Sequence, residues 1–402
     1  MRRWWWVVLL VAGGPRAQVW RNPATAPGAP LPPAAGFRAR AHGDEVAAAG
    51  LRPEVLGRLD IELQRHVAAR NVAGVVALLW RQGRRGYGEA FGSADRDAAR
   101  PLALDAVFRV MSMTKPLVAV TALTLYDEGR FGLDDPISRH CPEWAAPQVL
   151  ANGRRQPARR AITPRMLLSH SSGLYYGTLP GVQPAPRGRQ TTLREFSEAV
   201  AKEPLKFQPG AGWCYGLSLD ILGRYLEALT GESLDALVRA RLTGPLKMVD
   251  TEFWLPPEKS ARLCRGYRLA GPGELLPTRD TALPATRPTL CLGGHGMVST
   301  AGDYERFCAL LLNRGEVDGV RVLRPETVDL MFQNHVAAPH QPYGLGGIVD
   351  GEGYYGWGGA WGTEFWVDRR TGLAALYLTQ TDGYRAPSLD AFRALAGEVV
   401  AR

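Results

Sequence analysis

The spacing best suited to nucleophilic chemistry in this chain is Ser112-Met113-Thr114-Lys115. A serine hydroxyl attacks poorly until a neighbouring base takes its proton. Residues three apart on a helix share a face, which sets an amine one turn from the hydroxyl. Both would lie at the positive end of the helix dipole. Lysine is scarce here: of the 48 Lys and Arg residues only Lys115, Lys202, Lys206, Lys247 and Lys259 are lysines. Four residues alone fit an ordinary helix start with a solvated lysine equally well. The flanks favour chemistry. Phe108 to Met111 runs apolar into the serine, and Pro116 to Tyr126 continues almost wholly apolar as far as Gly129. A helix apolar on most faces is buried. Lys115 therefore opens a buried helix, where loss of water disfavours its charge and lowers its pKa. Pro116 is tolerated only in a first turn, which agrees with Ser112 at the helix start.

Two further clusters carry chemical groups. In Phe207-Gln208-Pro209-Gly210-Ala211-Gly212-Trp213-Cys214-Tyr215-Gly216-Leu217-Ser218, Pro and Gly hold a loop that ends on the Tyr215 hydroxyl before a helix. A tyrosine serves as general base where an ammonium lowers its pKa; taken alone it reads first as a packed phenol with its hydroxyl bonded. Gly356-Trp357-Gly358-Gly359-Ala360-Trp361-Gly362-Thr363 is dense in glycine and leads into a strand. Glycine there lets a ligand approach the backbone, although a bulge or turn uses it too.

The elements that must position these groups follow from periodicity. Pro53 to Val67 has helical apolar spacing, Val72 to Trp80 reads as a buried strand, and Gln82-Gly83-Arg84 turns into a second strand, Gly86 to Gly92. Thr163-Pro164 is a helix cap followed by proline at the first position. Further helices are expected over Thr192–Ala201, Ser218–Thr230 and Ser233–Leu242. Thr300-Ala301-Gly302-Asp303, a capping box with Asp in place of Glu, opens another through Leu312. Strand signals return at Tyr343–Val349, Thr363–Asp368 and Ala374–Thr379, and a last helix starts near Ser388. The order of strands, helices, then strands predicts an α+β fold: a mostly antiparallel sheet, flanked by helices and built from both chain ends, with an all-helical domain inserted. The sheet part is expected over about 51–125 and 290–402, the helical part over about 126–289.

Composition excludes several classes. The net charge of +9 comes from arginine spread along the chain, without the basic, aromatic-interleaved runs of a nucleic-acid site. Five cysteines show no C-x-x-C spacing, their odd number forbids complete pairing, and they read as buried thiols. The histidines show no zinc spacing, so neither metal nor cofactor is expected. Met1-Arg2-Arg3 followed by the apolar run Trp4–Ala12 resembles a secretory signal peptide over 1–17, too short to span a bilayer, and implies export, with an uncleaved anchor or a mis-assigned start and a cytoplasmic protein as the alternatives. Residues 18–50 are Pro-, Ala- and Gly-rich and read as a linker.

Taken together, the motifs of residues 51–400 resemble the group that comprises class C serine β-lactamases, D-alanyl-D-alanine peptidases and family VIII carboxylesterases. That group uses Ser-x-x-Lys, then Tyr-x-Asn, then Lys-Thr-Gly, with variants. Here the counterparts in order are Ser112-x-x-Lys115, Tyr215-Gly216-Leu217 and Trp357-Gly358-Gly359. Leu168-Ser169-His170-Ser171-Ser172-Gly173-Leu174, Gln208-Pro209-Gly210 and Gly294-His295-Gly296-Met297-Val298-Ser299-Thr300 are similar to the group's motifs as well. Leu217 stands where the β-lactamases carry an amide, and Trp357 where they carry a cation for the β-lactam carboxylate. A site lacking a needed polar partner discriminates heavily against that substrate. The resemblance thus implies the esterase branch, acting on a small-molecule ester: Ser112 as nucleophile, Tyr215 held anionic or nearly so by Lys115 as base, the N–H groups of Ser112 and Ala360 as oxyanion donors, and Trp357, Gly358, Gly359 and Leu217 facing the substrate. A penicillin-recognising enzyme and a catalytically silent binding protein are the alternatives. Neither the acyl group nor the oligomeric state is legible.

Overall fold

The computed structural model describes residues 28–40, 43–177, 192–278, 286–337, 342–382 and 387–400. The signal-like segment 1–17 lies outside them. The framework is a seven-stranded antiparallel sheet. Its strands are β1 (Gly74–Arg81), β2 (Arg84–Asp95), β3 (Arg100–Pro101), β4 (Ile348–Val349), β5 (Tyr354–Gly359), β6 (Thr363–Asp368) and β7 (Leu373–Leu378). The order β4-β5-β6-β7-β1-β2-β3 joins the two chain ends at the β7–β1 pair, where Val76 faces Leu378 and Arg81 faces Leu373.

Strand β1 is apolar from Gly74 to Trp80 because both of its faces are covered over most of that length. Val75, Ala77 and Leu79, with Ala375 and Tyr377 of β7, pack under α1 (Pro53–Ala68) and the C-terminal helix α5 (Pro387–Glu398). Val76 and Leu78, with Leu376 and Leu378, face the larger core on the other side. There lie α2 (Thr114–Asp127), α3 (Ser218–Thr230) and α4 (Ala301–Leu312). Alternation of side chains across a strand divides the residues this way.

The helix starts fall where their caps are written. Thr163, Thr192, Ser233 and Thr300 each accept the N–H three residues on. Asp303 does not reach back to complete a capping box. Its buried carboxylate takes the Asp250 N–H at 2.7 Å and the Thr251 hydroxyl at 2.8 Å instead. The helix expected through Leu242 is α-helical only over Leu234–Val238 and then widens to a π turn over Arg239–Thr243. Of the strand expected over Tyr343–Val349 only Ile348–Val349 forms, after Gly346 turns at φ 89°.

The inserted part is helical around α3 but also carries two hairpins, Gln148–Ala151 with Arg154–Pro157 and Tyr267–Gly271 with Glu274–Pro277. Asn152 and Gly153 at the first turn both have positive φ, the conformation a two-residue hairpin loop demands. Arg154 to Pro157 is exposed, so no apolar alternation announces that strand. The 18–50 tract is tied down in its described portion. Ala29 and Asn71 exchange hydrogen bonds of 2.6 and 3.1 Å, Arg65 reaches the Pro32 carbonyl at 2.7 Å, and Asp44–Ala48 is a short helix with Val46 buried.

The ring of Phe392 is fully buried between Trp366 and Tyr377, and it fastens α5 to the sheet. Phe392→Ala is expected to cost about 3–5 kcal/mol of stability, read as a lower urea midpoint at unchanged slope.

Candidate active site

Ser112 is presented by a strained turn. Met111 sits at φ 50°, a left-handed conformation that costs a long side chain about 1–2 kcal/mol. Met111–Met113 forms a 3-10 turn that runs directly into α2. Three hydrogen bonds hold this entry: Val110 N–H to the Met297 carbonyl at 3.1 Å, Met297 N–H to Thr114 Oγ1 at 3.1 Å, and the Tyr304 hydroxyl to the Met113 carbonyl at 2.9 Å. The two-residue pairing of Phe108–Arg109 with Val298–Ser299 anchors the strand before it.

Tyr215 arrives from the loop before α3. The His170 carbonyl accepts the Cys214 N–H at 3.0 Å, the Ser171 carbonyl accepts the Gly210 N–H at 2.7 Å, and the Ser172 and Ser218 hydroxyls pair at 3.0 Å. The Ser169–Leu174 segment is thus the platform for the tyrosine loop. Gly216 allows the close fit, since a Cβ there would lie 2.4 Å from Tyr175 Cα.

The three sequence-predicted groups meet. The Tyr215 hydroxyl lies 2.6 Å from Ser112 Oγ, and Lys115 Nζ lies 2.7 Å from the Tyr215 oxygen and 3.3 Å from Ser112 Oγ. Lys115 is wholly buried. Its Nζ also donates to the Gly294 carbonyl at 2.7 Å and stands 3.4 Å from the Tyr176 hydroxyl. Burial brings the amine down to about 7, against the nearby charge of Asp220, which raises it. Burial pushes the Tyr215 phenol up from its ordinary value, against its hydrogen bond to Ser112 and the Trp357 indole beside it. A standing phenolate at Tyr215 is therefore not what this environment favours. The pair is better described as an amine and a phenol sharing one proton. The geometry suits that description. Nζ donates to the Gly294 carbonyl and reaches the Tyr215 and Tyr176 hydroxyls and Ser112 Oγ, so that all of its contacts are with oxygens of the site. Ser112, Tyr215 and Lys115 are thus linked by continuous hydrogen bonds along which a proton can pass.

The β5–β6 turn closes the other side. A Cβ on Gly359 would fall 2.4 Å from the Val110 carbonyl oxygen and 3.3 Å from Met111 Cβ. Only glycine lets this turn, with Ala360, lie against the segment that ends on Ser112. Thr363 Oγ1 completes the contact by donating to the Val110 carbonyl at 3.2 Å. The Ser112 N–H, in a helix's first turn, has no partner within the helix, and the Ala360 N–H lies in the adjoining turn.

Trp357 is buried, with its ring 5.2 Å from both Tyr215 and Tyr343. Gly358 and Gly359 follow it on β5 and are half-buried. Leu217 is buried in the main core, at the start of α3.

The residues that sequence reasoning passed over are Tyr176, His170, Asp220 and the Gly294 carbonyl. His170 packs on Tyr215 with ring centroids 4.9 Å apart, and burial with the Lys115 charge drives its pKa well below the ordinary histidine value. The Ser169–Leu174 and Gly294–Thr300 motifs had marked both neighbourhoods without assigning either a task.

The family model Beta-lactamase matches residues 59–398, and the chain belongs to that family. It is an enzyme family of this fold with hydrolase and acyltransferase members. Esterase EstB of Burkholderia gladioli is 32% identical over 383 residues, covering 84% of this chain and 93% of the esterase. Lovastatin esterase of Penicillium rubens is 30% identical over 374 residues, covering 79% and 91%. Among solved structures, EstCE1, a hydrolase with promiscuous acyltransferase activity, superposes with a TM-score of 0.74 at 26% identity, covering 85% of this chain and 98% of its own. Simvastatin synthase of Aspergillus terreus does so with a TM-score of 0.71 at 26% identity, covering 85% and 97%.

A lysine depressed to about 7 in the folded state and near 10.4 when unfolded makes folding more favourable as pH rises through that window, and the contribution is lost as pH falls through about 7. Lys115→Met removes the term. The variant is expected to melt above the wild type at about pH 6.5, with the gap shrinking towards pH 9.5, as followed by thermal unfolding at both pH values.

Proposed function

We propose that the protein is a serine carboxylesterase that forms an acyl-enzyme on Ser112. The observation that carries this reading is the unbroken chain from Ser112 Oγ to Tyr215 at 2.6 Å and on to Lys115 at 2.7 Å. As Ser112 attacks the ester carbonyl, its proton passes to the Tyr215 oxygen while the phenol proton passes to the Lys115 amine. The tetrahedral oxyanion is met by the Ser112 and Ala360 N–H groups, each worth about 10²–10³ in rate at such sites. When the intermediate collapses, the same path returns one proton to the leaving alkoxide and frees the alcohol. Water then attacks the acyl-enzyme, giving its proton to the path and its oxygen to the acid, and Ser112 is restored.

Substrate class follows from the third motif. Trp357 presents an indole, packed on Tyr215 and Tyr343, where a β-lactam-binding relative presents a cation. Leu217 offers no amide. Both features favour an uncharged ester over a penicillin, and the relatives named as esterases support the same choice. Transfer of the acyl group to an alcohol in place of water is a second reading. It is favoured by relatives named as a methylbutanoyltransferase and as a hydrolase with acyltransferase activity.

Hydrolysis of p-nitrophenyl butyrate tests the proposal. Ser112→Ala is expected to abolish turnover, and Tyr215→Phe to lower it about 10³-fold with the fold intact. Wild-type kcat/KM should rise with pH through about 7 as the Lys115–Tyr215 pair gives up its proton. A wild type without ester hydrolysis would overturn the reading.

Added alcohol separates hydrolysis from transfer. If the acyl-enzyme accepts alcohols, methanol should raise the release rate of p-nitrophenol where deacylation limits, and methyl butyrate should accumulate by gas chromatography.

A further inference from the structure

Behind Lys115 stands a carboxylate that the reaction described above does not use. Asp220 lies in the first turn of α3, five positions after Tyr215, and is wholly buried. Its Oδ1 accepts the Gly294 N–H at 2.8 Å, and its Oδ2 is buried without a hydrogen-bond partner among the described residues. Leaving one oxygen of an ionised carboxylate unsatisfied away from water is costly unless a nearby charge compensates. Gly294 connects this carboxylate to the site. The residue gives its N–H to Asp220 and its carbonyl to Lys115 Nζ at 2.7 Å. A Cβ at position 294 would come within 2.7 and 2.9 Å of the two carboxylate oxygens, so glycine alone lets the three groups stack.

We propose that Asp220 is a positioning residue for Lys115: through Gly294 it fixes the carbonyl that holds the amine, and its buried charge keeps that amine basic. The activity readouts of this proposal rest on the esterase reading; the geometry does not. The groups facing Lys115 from the surrounding elements are Ser112, His170, Tyr176, Tyr215, His295 and Asp220. Burial holds both histidines towards the neutral form and the Tyr176 and Tyr215 phenols towards the protonated form. Asp220 is thus the negative charge set against the burial of the amine. Its influence on Lys115 is opposite to that of desolvation. Without it the amine would lose its proton at a lower pH and become a weaker base for the same proton path.

A merely structural carboxylate would brace the Gly294 loop and leave the amine's titration alone. Asp220→Asn separates the two roles, because an amide oxygen still accepts the Gly294 N–H while the charge is gone. The five lysines make the amine directly observable. With lysine labelled by ¹³C at Cε, the full-length protein gives five signals, and that of Lys115 is assigned by its loss in Lys115→Met. In Asp220→Asn the Lys115 titration midpoint is expected to fall by about one pH unit or more. The acid limb of kcat/KM should move the same way, with a lower plateau. Asp220→Ser, small and uncharged, is expected to show the same fall and serves if the amide variant is too unstable to titrate. An unmoved midpoint in either folded variant would overturn the proposal. The esterase reading fails separately, if the wild type hydrolyses no ester while the Lys115 signal still follows the charge at position 220.

Discussion

An amine stripped of water gives up its proton unless its surroundings hold the charge, and this protein places one such amine, Lys115, at the root of its longest apolar helix. Much of the architecture near the site answers that burden. Helix α2 is buried from Thr114 to Leu125, the amine with it. Its hydrogen-bonding capacity is met by groups from three other segments: Gly294 before the Val298–Ser299 pairing, Tyr215 before α3 and Tyr176 after the Ser169–Leu174 platform. The amine thereby joins the inserted helical part to the sheet. Removing solvent from it also makes its interaction with the phenol and hydroxyl stronger than the same contact would be in water.

Precision at Ser112 comes from backbone fits that admit no side chain. Gly359 lies against Val110, Gly216 against Tyr175 and Gly294 against Asp220, and at each a Cβ would fall within 2.7 Å of a neighbouring atom. Together these contacts bring the β5–β6 turn, the tyrosine loop and the 294–300 segment onto the first turn of α2. The strained φ of Met111 belongs with them, since a locally unfavourable turn persists only where its surroundings over-determine it. The sheet supplies the rigidity. With α1 and α5 on one face and α2 and α4 on the other, β5 and β6 have little freedom to shift relative to Ser112.

What was legible in the sequence tracks which interactions are local. Ser112 and Lys115 share one helical turn, and Tyr215 is framed by loop-forming Pro and Gly, so residue type and spacing reveal all three. The threonine caps at 163, 192 and 300 are equally local. The two-faced burial of β1 was written in its unbroken apolar run. Asp220 was not legible, because an acidic residue in a helix's first turn is explained by the helix dipole alone. The Gly294 carbonyl is a backbone atom and leaves no mark on residue type. The hairpin over Gln148–Pro157 was hidden because one of its strands is exposed and unpatterned, although its Asn-Gly turn is a signal that pattern reading could have used. Asp303 keeps its place beside the Thr300 cap yet spends its carboxylate on Asp250 and Thr251, a tertiary choice that no local motif encodes.

Two positions then bear on the substrate choice of the proposed esterase. Ser112, Lys115 and Tyr215 are bound into one hydrogen-bonded path. Leu217 and Trp357 stand outside that path. Leu217 packs into the core at the head of α3, and Trp357 closes an aromatic cluster with Tyr215 and Tyr343 on the strand that leads to Ala360. In the proposed esterase, an indole in place of a cation at the edge of β5 alters what the site attracts while keeping the turn that carries Ala360. On that proposal the same backbone can serve different acyl substrates, because recognition sits on side chains whereas charge stabilisation at the oxyanion falls to N–H groups that every residue but proline provides.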